Sequence, residues 1–125
     1  MNENEITTKI IGAAIEVHRD KGPGLLESVY EDCICIEFEL RNIQFVSQQL
    51  IPITYKGHEI SGDLRLDLIV EEKVIVELKA VEKLLPIHEA QLLTYLKLTD
   101  CKVGLLINFN VVVLKHGIKR IVNNF

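Results

Sequence analysis

The sequence predicts an α/β domain in which a mixed β-sheet is flanked by helices. Three observations support this fold class. Apolar residues repeat at helical spacing in the first third of the chain, β-rich apolar runs follow, and a helical segment opened by a proline separates the third run from the fourth. The predicted order is therefore α-α-β-β-β-α-β-β. Because amphipathic helices must bury their apolar faces, we expect them to pack on the sheet.

Two helices are predicted in the first third of the chain. The first covers residues 5–19 and ends at a segment rich in glycine and proline, residues 20–24. The second covers residues 25–41. Its apolar residues step by three and four, and they predict one buried seam, formed by Leu26, Val29, Cys33, Ile36 and Leu40.

Strands and one more helix are predicted for the rest of the chain. The third helix covers residues 86–98, with Pro86 in its first turn. A bulge is expected in the second strand near Gly62, because glycine often marks such an irregularity. The predicted strands are residues 48–55, 58–70, 74–80, 103–108 and 111–116, and residues 118–122 are a candidate for a short additional strand.

The composition is that of a single globular domain, which we expect to cover residues 1–125. Hydrophobic residues make up 48% and charged residues 26%, and no apolar run is long enough to cross a bilayer. The acidic start of the chain is unlike a secretory signal, so we expect a cytosolic protein without membrane contact. The net charge of -4 argues against strong non-specific nucleic-acid binding. It does not exclude a nuclease, because a metal site needs carboxylates.

The three cysteines, Cys33, Cys35 and Cys101, are an odd number in a chain without a signal. This argues against a disulfide framework. Cys33 and Cys35 diverge by about 200° on the predicted helix, which is poor geometry for a shared metal. We expect all three to be structural.

A pattern of charged residues around the second and third strands indicates a metal site. Strand alternation puts Glu77 and Lys79 on one face, and a hairpin lets Asp67 approach Glu77. Two carboxylates in a half-buried sheet repel each other and lose solvation, and a divalent cation such as Mg²⁺ relieves both penalties. Lys79 could then orient or deprotonate the attacking water. The alternative is an exposed Glu77–Lys79 salt bridge and a solvated Asp67.

Two further groups of polar residues have both a functional and an ordinary interpretation. His88, Gln91 and Tyr95 form a polar stripe on the third helix, which is either its solvated face or one wall of a site. Glu27 is either a first-turn acid favoured by the helix dipole or a site residue. Tyr30 is expected to pack, and His18 is a helix-end cation or a site neighbour.

These motifs together resemble the PD-(D/E)xK nuclease superfamily. Asp67, Glu77-Leu78-Lys79 and a Q-x-x-x-Y element at residues 91–95 carry the resemblance, and the last is similar to that of the RecB-like and phage-exonuclease-like branch. Residues 24–30, Gly-Leu-Leu-Glu-Ser-Val-Tyr, resemble the signature of the GxxExxY proteins, a small prokaryotic family in that superfamily. The likeness extends through residues 104–110. Leu66 stands where the superfamily has a proline.

The resemblance implies a restriction-endonuclease-like core and a metal-dependent phosphodiesterase acting on DNA or RNA. Asp67 and Glu77 would bind Mg²⁺ or Mn²⁺, with Glu27 as a ligand directly or through water, and Lys79 would be the catalytic lysine. Gln91 and Tyr95 would position substrate. The alternative function is a non-catalytic nucleic-acid-binding or regulatory module, or an accessory subunit that relies on a protein partner or a second copy for its grip on nucleic acid.

Overall fold

The computed structural model describes residues 1–125 as three α-helices and one five-stranded sheet, which confirms the predicted fold class. Each predicted helix and strand boundary except two lies within two residues of the observed one. The exceptions are the first strand, which begins earlier than expected, and the segment 111–116. The elements are α1 (Glu3–Lys21), α2 (Glu27–Leu40), β1 (Phe45–Tyr55), β2 (His58–Val70), β3 (Val74–Lys79), α3 (Pro86–Thr99), β4 (Val103–Asn108) and β5 (Ile118–Val122).

The strands lie in the sheet in their chain order, β1-β2-β3-β4-β5. All neighbours are antiparallel except β3 and β4, which are parallel. A parallel pair needs a long crossover connection, and α3 supplies it. The β1–β2 pair shifts register between Pro52 and Thr54, where β2 has extra residues that include Gly62. This irregularity is the predicted bulge.

The two faces of the sheet carry separate hydrophobic cores, because the side chains of β3 alternate as predicted. The first core lies between the sheet and helices α1 and α2, and it takes Val74, Val76 and Leu78 from β3. The second core lies under α3 and takes Ile75 from β3. Glu77 and Lys79 therefore belong to the face that α3 covers.

A close contact between α3 and β4 fixes the position of α3. Gly104 lies on β4 directly beneath Leu92, and a Cβ at Gly104 would be 2.9 Å from Leu92 Cδ1. Leu92 and Leu96 are both buried in the second core. The absence of a side chain at Gly104 lets the helix pack closely on the strand, which sets the distance of its polar residues from β3.

The predicted seam of α2 is wrong. Cys33 packs against the first core, but Leu26 and Leu40 are each 73% exposed and Ile36 is 56% exposed. The buried face instead carries Tyr30, Ile34 and Phe38, which pack in the first core. At about 100° per residue, that face lies roughly 120° around the helix from the predicted seam. Periodicity identified an apolar stripe correctly but could not show which of two apolar faces the sheet covers.

The predicted strand at residues 111–116 is also wrong. The segment forms bends and a short 3-10 turn at Leu114–Gly117, and Val112 is 88% exposed. The chain must turn tightly here because Gly117 lies against the end of β4, where a Cβ would be 2.2 Å from the Asn108 carbonyl oxygen. The neighbouring position in the sheet is taken by β5, so the valines have no strand to pair with.

The cysteines lie within or beside the cores, with Cys33 and Cys35 against the first and Cys101 in the second. All three are free thiols. Burial raises the pKa of Cys35 to about 11, and the negative charge of Glu31 acts in the same direction. A thiol protonated in this way is a poor nucleophile and a poor metal ligand. None of the three helices is both long and apolar enough to cross a membrane.

Candidate active site

Asp67 and Glu77 face each other where β2 and β3 separate. The backbone ladder between the strands runs through three pairs and ends at Leu68 and Val76, one residue before this position. Beyond this pair, hydrogen bonds from backbone N–H groups to the two carboxylates take the place of backbone bonds between the strands. The Asp67 backbone N–H donates to Glu77 Oε2 at 2.9 Å, and the Leu78 N–H donates to Asp67 Oδ2 at 2.9 Å. Each strand thus holds the carboxylate of the other.

The alternation of β2 is interrupted at Asp67. Leu68 and Val70 lie in the first core, whereas Leu64 and Leu66 lie in the second, although all four positions have the same parity. The strand therefore rotates about its axis at Asp67. Asp63 and Arg65, which precede Asp67 on the same strand, are both exposed.

The neighbouring strand is distorted at the same level. The register of β1 and β2 places Gln48 opposite Asp67, and Gln48 has a positive φ of 55°. The Gln48 side chain donates to both carboxylate oxygens of Glu31 on α2, at 2.8 and 2.9 Å. This contact connects the distorted point of β1 to α2, next to the position where β2 rotates. Sequence reasoning missed it, because nothing local marks Gln48 as a left-handed residue.

Glu77 is a buried acid whose charged form is disfavoured. It is 6% exposed. Burial raises its pKa to about 8, and the negative charge of Asp67 acts in the same direction, against the opposing effects of the Asp67 hydrogen bond and Lys79. The alternative of an exposed Glu77–Lys79 salt bridge does not hold, because Glu77 is buried and forms no salt bridge.

The second oxygen of each carboxylate remains free. One oxygen of Asp67 and one of Glu77 accept the hydrogen bonds described above. No buried side-chain oxygen or nitrogen lacks a hydrogen-bond partner, so the other two oxygens reach solvent. The pair therefore presents two unengaged carboxylate oxygens at the fork between the strands.

Lys79 supplies a positive charge on the same face, two residues after Glu77 on β3. It is half-buried and makes no salt bridge. Its positive charge partly offsets the rise in the pKa of Glu77 and of Glu27. Its backbone carbonyl accepts a hydrogen bond from the Phe109 N–H at 3.0 Å, which joins the end of β3 to the end of β4. The ammonium group therefore interacts electrostatically with both acids but forms a salt bridge with neither.

Glu27 is the first residue of α2 and lies at the edge of the same cluster. Partial burial of its carboxyl raises its pKa, followed by the negative charge of Asp67, while Lys79 acts against them. Glu27 is therefore a first-turn acid whose carboxyl interacts electrostatically with Asp67 and Lys79. It does not complete a ligand set, because no three His, Cys, Asp or Glu side chains converge closely enough to hold a metal ion.

The segment before Glu27 is shaped by a glycine and a tyrosine. Gly24 has a φ of 95°, which side chains rarely tolerate. The Tyr30 hydroxyl donates to the Gly22 carbonyl at 2.6 Å and accepts from the Leu25 N–H at 3.1 Å. Its ring stacks on Phe109 with centroids 4.5 Å apart. Tyr30 is thus a packing residue, as predicted, and it holds the loop that delivers Glu27.

The polar stripe of α3 divides into three different environments. Tyr95 is half-buried, and burial raises its pKa, followed by the charges of Glu77 and Asp67. Gln91 is exposed, and its side chain acts in the opposite direction on the pKa of Tyr95. His88 is turned away, because its Nδ1 accepts the Leu85 N–H at 3.0 Å and so caps the helix. Tyr95 therefore forms a wall of the site, with Gln91 behind it.

Asn108 holds the segment that follows β3 through its side-chain amide, and sequence reasoning missed this role. It ends β4 and is 1% exposed. Its Oδ1 accepts the Val81 N–H at 3.0 Å, and its Nδ2 donates to the Val81 carbonyl at 2.9 Å. An amide at the end of an otherwise apolar strand was the available signal. His18, by contrast, bonds the Val111 carbonyl through Nε2 at 2.8 Å and stacks on Phe109, so it is a structural residue.

The residues at the fork fit a small, hard divalent cation. Mg²⁺ prefers carboxylate oxygens and usually takes one or two from the protein, with water and substrate phosphate completing its shell. Asp67 and Glu77 offer two such oxygens, in a place where an uncompensated pair of charges is costly. Glu27 lies outside this pair, where it can act through water.

A mixed sheet with a carboxylate pair and a lysine where two strands separate is the arrangement expected of a nuclease-like domain. A model of the PD-(D/E)XK nuclease superfamily matches residues 4–121. The chain belongs to the PD-(D/E)XK nuclease superfamily. No curated protein and no solved structure matches the chain significantly.

Proposed function

We propose that this chain hydrolyses phosphodiester bonds in DNA or RNA, with Asp67 and Glu77 binding Mg²⁺ or Mn²⁺. The observation that carries the proposal is the exchange of hydrogen bonds between Asp67 and Glu77 at the strand fork, which leaves one oxygen of each carboxylate without a protein partner. Membership of the nuclease superfamily supports the same reaction.

The residues around Asp67 and Glu77 have separate roles in the proposed reaction. Lys79 is free of salt bridges on the same face, so it can orient the attacking water, help to deprotonate it, and stabilise negative charge on phosphate. Glu27 holds water at the edge of the cluster. The bound cation supplies Lewis-acid activation of the phosphate oxygen. Tyr95, supported by Gln91, donates a hydrogen bond to phosphate, to the water or towards Lys79.

The distribution of charge supports a nucleic-acid substrate despite the acidic total. Residues 97–125 carry five lysine and arginine residues against one acid, whereas residues 1–96 carry nine against seventeen. Lys119 of β5 pairs with Leu106 of β4, which pairs with Glu77. Paired residues share a face, so Lys119 lies on the site face, about 10 Å from Glu77 along the sheet. It is a suitable contact for a backbone phosphate.

We also infer that the chain belongs to the GxxExxY group within the superfamily. Each signature residue has a physical role that supports this. Gly24 adopts a left-handed conformation, Glu27 interacts electrostatically with the site, and Tyr30 pins the intervening loop. The relation to the RecB-like and phage-exonuclease-like branch rests on Gln91 and Tyr95. A cytosolic location stays a prediction.

A non-catalytic binding module is the second candidate. The observation that favours it is the small ligand set, since the protein brings two acids together rather than three. Such a module would bind nucleic acid through the same face without turnover. The two candidates therefore differ in one measurable property, which is the cleavage of substrate.

Purified protein should be tested with Mg²⁺ or Mn²⁺ on single- and double-stranded DNA and RNA, beside Lys79→Ala. We expect metal-dependent cleavage that falls by about a hundredfold or more in Lys79→Ala, with turnover affected more than affinity. Lys9→Ala, an exposed lysine of α1, is the matched control and should behave like wild type. Nucleic-acid binding without cleavage by the wild type would favour the non-catalytic module. Equal turnover in Lys79→Ala and wild type would contradict the assigned mechanism.

A further inference from the structure

The outer face of α2 carries an apolar stripe that no part of the chain covers. Leu26 and Leu40 are 73% exposed, Ile36 is 56% exposed and Val29 is 36% exposed. Together with the half-buried Cys33 they follow a three-four spacing, which is the pattern that one helix presents to another. At 1.5 Å per residue the stripe is about 20 Å long.

The stripe continues into a groove between α1 and α2. The groove has a volume of about 410 Å³, and its apolar lining consists of Val17, Cys33 and Ile36. A row of helical apolar residues beside a groove is the geometry that accepts an amphipathic helix, whose anchors follow the same spacing.

Acidic side chains border this surface on both sides. Glu37 borders the stripe towards α1, where Glu16 and Asp20 also line the groove. At about 100° per residue, Asp32 and Glu39 border the opposite side of the stripe. These last two form no salt bridge, whereas the acids on the α1 side each have a cation partner. The Arg19–Glu16 and Lys21–Asp20 salt bridges are exposed, and such pairs contribute little to stability and can exchange for an incoming partner.

We propose that this surface, the acidic α2 stripe, binds an amphipathic helix of another protein whose apolar row is flanked by lysine or arginine. Charge complementarity decides between the possible occupants. In a dimer formed through α2, Asp32, Glu37 and Glu39 would face acids of the second copy, in either helix direction. An anionic membrane surface is disfavoured by the same charges. The proposal does not depend on nuclease activity, because the stripe shares no residue with the site.

The test uses the full chain and two synthetic helical peptides of equal length. Both peptides carry leucines at three-four spacing, and they differ only in having lysine or glutamate at the flanking positions. We expect the lysine peptide to bind and the glutamate peptide to bind at least about tenfold more weakly. Asp32→Asn with Glu39→Gln should reduce the preference and the salt dependence of binding.

Variants of the stripe identify the binding face. Ile36→Gln and Leu40→Gln should each weaken lysine-peptide binding by about tenfold or more, because Ile36 borders the groove and Leu40 is among the most exposed residues of the stripe. Val112→Gln is the matched control, since Val112 is an exposed apolar residue outside the stripe, and it should bind like wild type. Circular dichroism checks that each variant is folded.

Three results would overturn the proposal. Binding of neither peptide would mean that the stripe is not a helix-docking surface. Equal binding of both peptides, or equal loss in Val112→Gln and Ile36→Gln, would mean non-specific hydrophobic adsorption. A wild-type dimer in sedimentation that Ile36→Gln dissociates would assign the stripe to a second copy of this chain.

Discussion

Glu77 carries an ionisable group at a position where its strand neighbours are apolar and buried. Its pKa of about 8 has burial as the largest cause and the charge of Asp67 as the second. An acid whose charged form is this costly is retained where a cation can compensate it. The hydrogen bond from the Asp67 N–H holds the Glu77 carboxylate in one position between the two strands.

The metal-free protein should lose stability as pH rises from about 4.5 to 8. Below this window Glu77 is protonated in both the folded and the unfolded chain. Within it, the unfolded chain releases the proton more readily, so deprotonation favours unfolding. Chemical denaturation in the presence of a chelator should show a decline on the order of a few kcal/mol. Glu77→Gln should remove most of the decline.

The matched control for this measurement is Glu72→Gln, an exposed acid in the turn between β2 and β3. It should keep the pH dependence of the wild type. A Glu77→Gln profile that declines as steeply as the wild-type profile would show that Glu77 is not the titrating group.

At the scale of elements, sequence periodicity predicted β3 well and α2 poorly. Alternation in β3 separated Glu77 and Lys79 from the apolar face because a central strand is constrained on both sides. In α2 two apolar faces compete, and only the tertiary structure decides which one the sheet covers. The three valines at residues 111–113 favour a strand, but the close approach of Gly117 to Asn108 forces a turn.

The acids and the lysine of the candidate site could be proposed from the sequence, but the contacts that support them could not. Asp67, Glu77 and Lys79 stand out because charged residues interrupt apolar strands. The rotation of β2 at Asp67 and the left-handed Gln48 depend on contacts between residues far apart in the chain, such as the bond from Gln48 to Glu31. Such contacts leave no local pattern.

The face that α3 presents to the site should contribute hydrogen bonds rather than metal ligands. Tyr95→Phe removes a hydroxyl whose pKa responds to the charges of Glu77 and Asp67, and Gln91→Ala removes the amide that acts on the same hydroxyl. We expect each to lower cleavage or nucleic-acid binding by about tenfold, with nearly unchanged metal affinity, since a neutral amide and a hydroxyl are weak ligands for a hard cation.

Thr94→Ala is the control for α3, because Thr94 is exposed and its hydroxyl bonds only to the Ala90 carbonyl of the same helix. Cleavage, nucleic-acid binding and metal affinity are measured on the same preparations. No change in any of the three for Gln91→Ala and Tyr95→Phe would assign both residues to the solvated face. A large loss of metal affinity would contradict the division of roles.

At the scale of the whole molecule, the charges are segregated along the chain. The basic C-terminal segment brings Lys119 onto the face of the sheet that carries the site, while acids border α2 on the other side of the sheet. The two sides of the sheet therefore differ in charge. The net charge of -4 conceals this arrangement.

Lys119→Ala should weaken nucleic-acid binding without changing metal affinity. If Lys119 contacts a phosphate, its loss lowers affinity about equally for different sequences and reduces the slope of log affinity against log salt by about one. Binding titrations over a range of salt concentrations measure this slope. Lys9→Ala makes the same charge change on α1 and should leave it unaltered; equal slopes in wild type and Lys119→Ala would exclude the contact.

The most direct test of the account is calorimetric titration of Mn²⁺ or Mg²⁺ into wild type, Asp67→Asn and Asp63→Asn. Asp63 is an exposed acid on the same strand and makes the matched control. Wild type and Asp63→Asn should bind the metal ion weakly at a single class of site. Both should gain thermal stability on binding, because a ligand of the folded state stabilises that state. Asp67→Asn should lose at least about tenfold in affinity. An equal metal response in all three proteins would contradict the assignment of the site to Asp67 and Glu77.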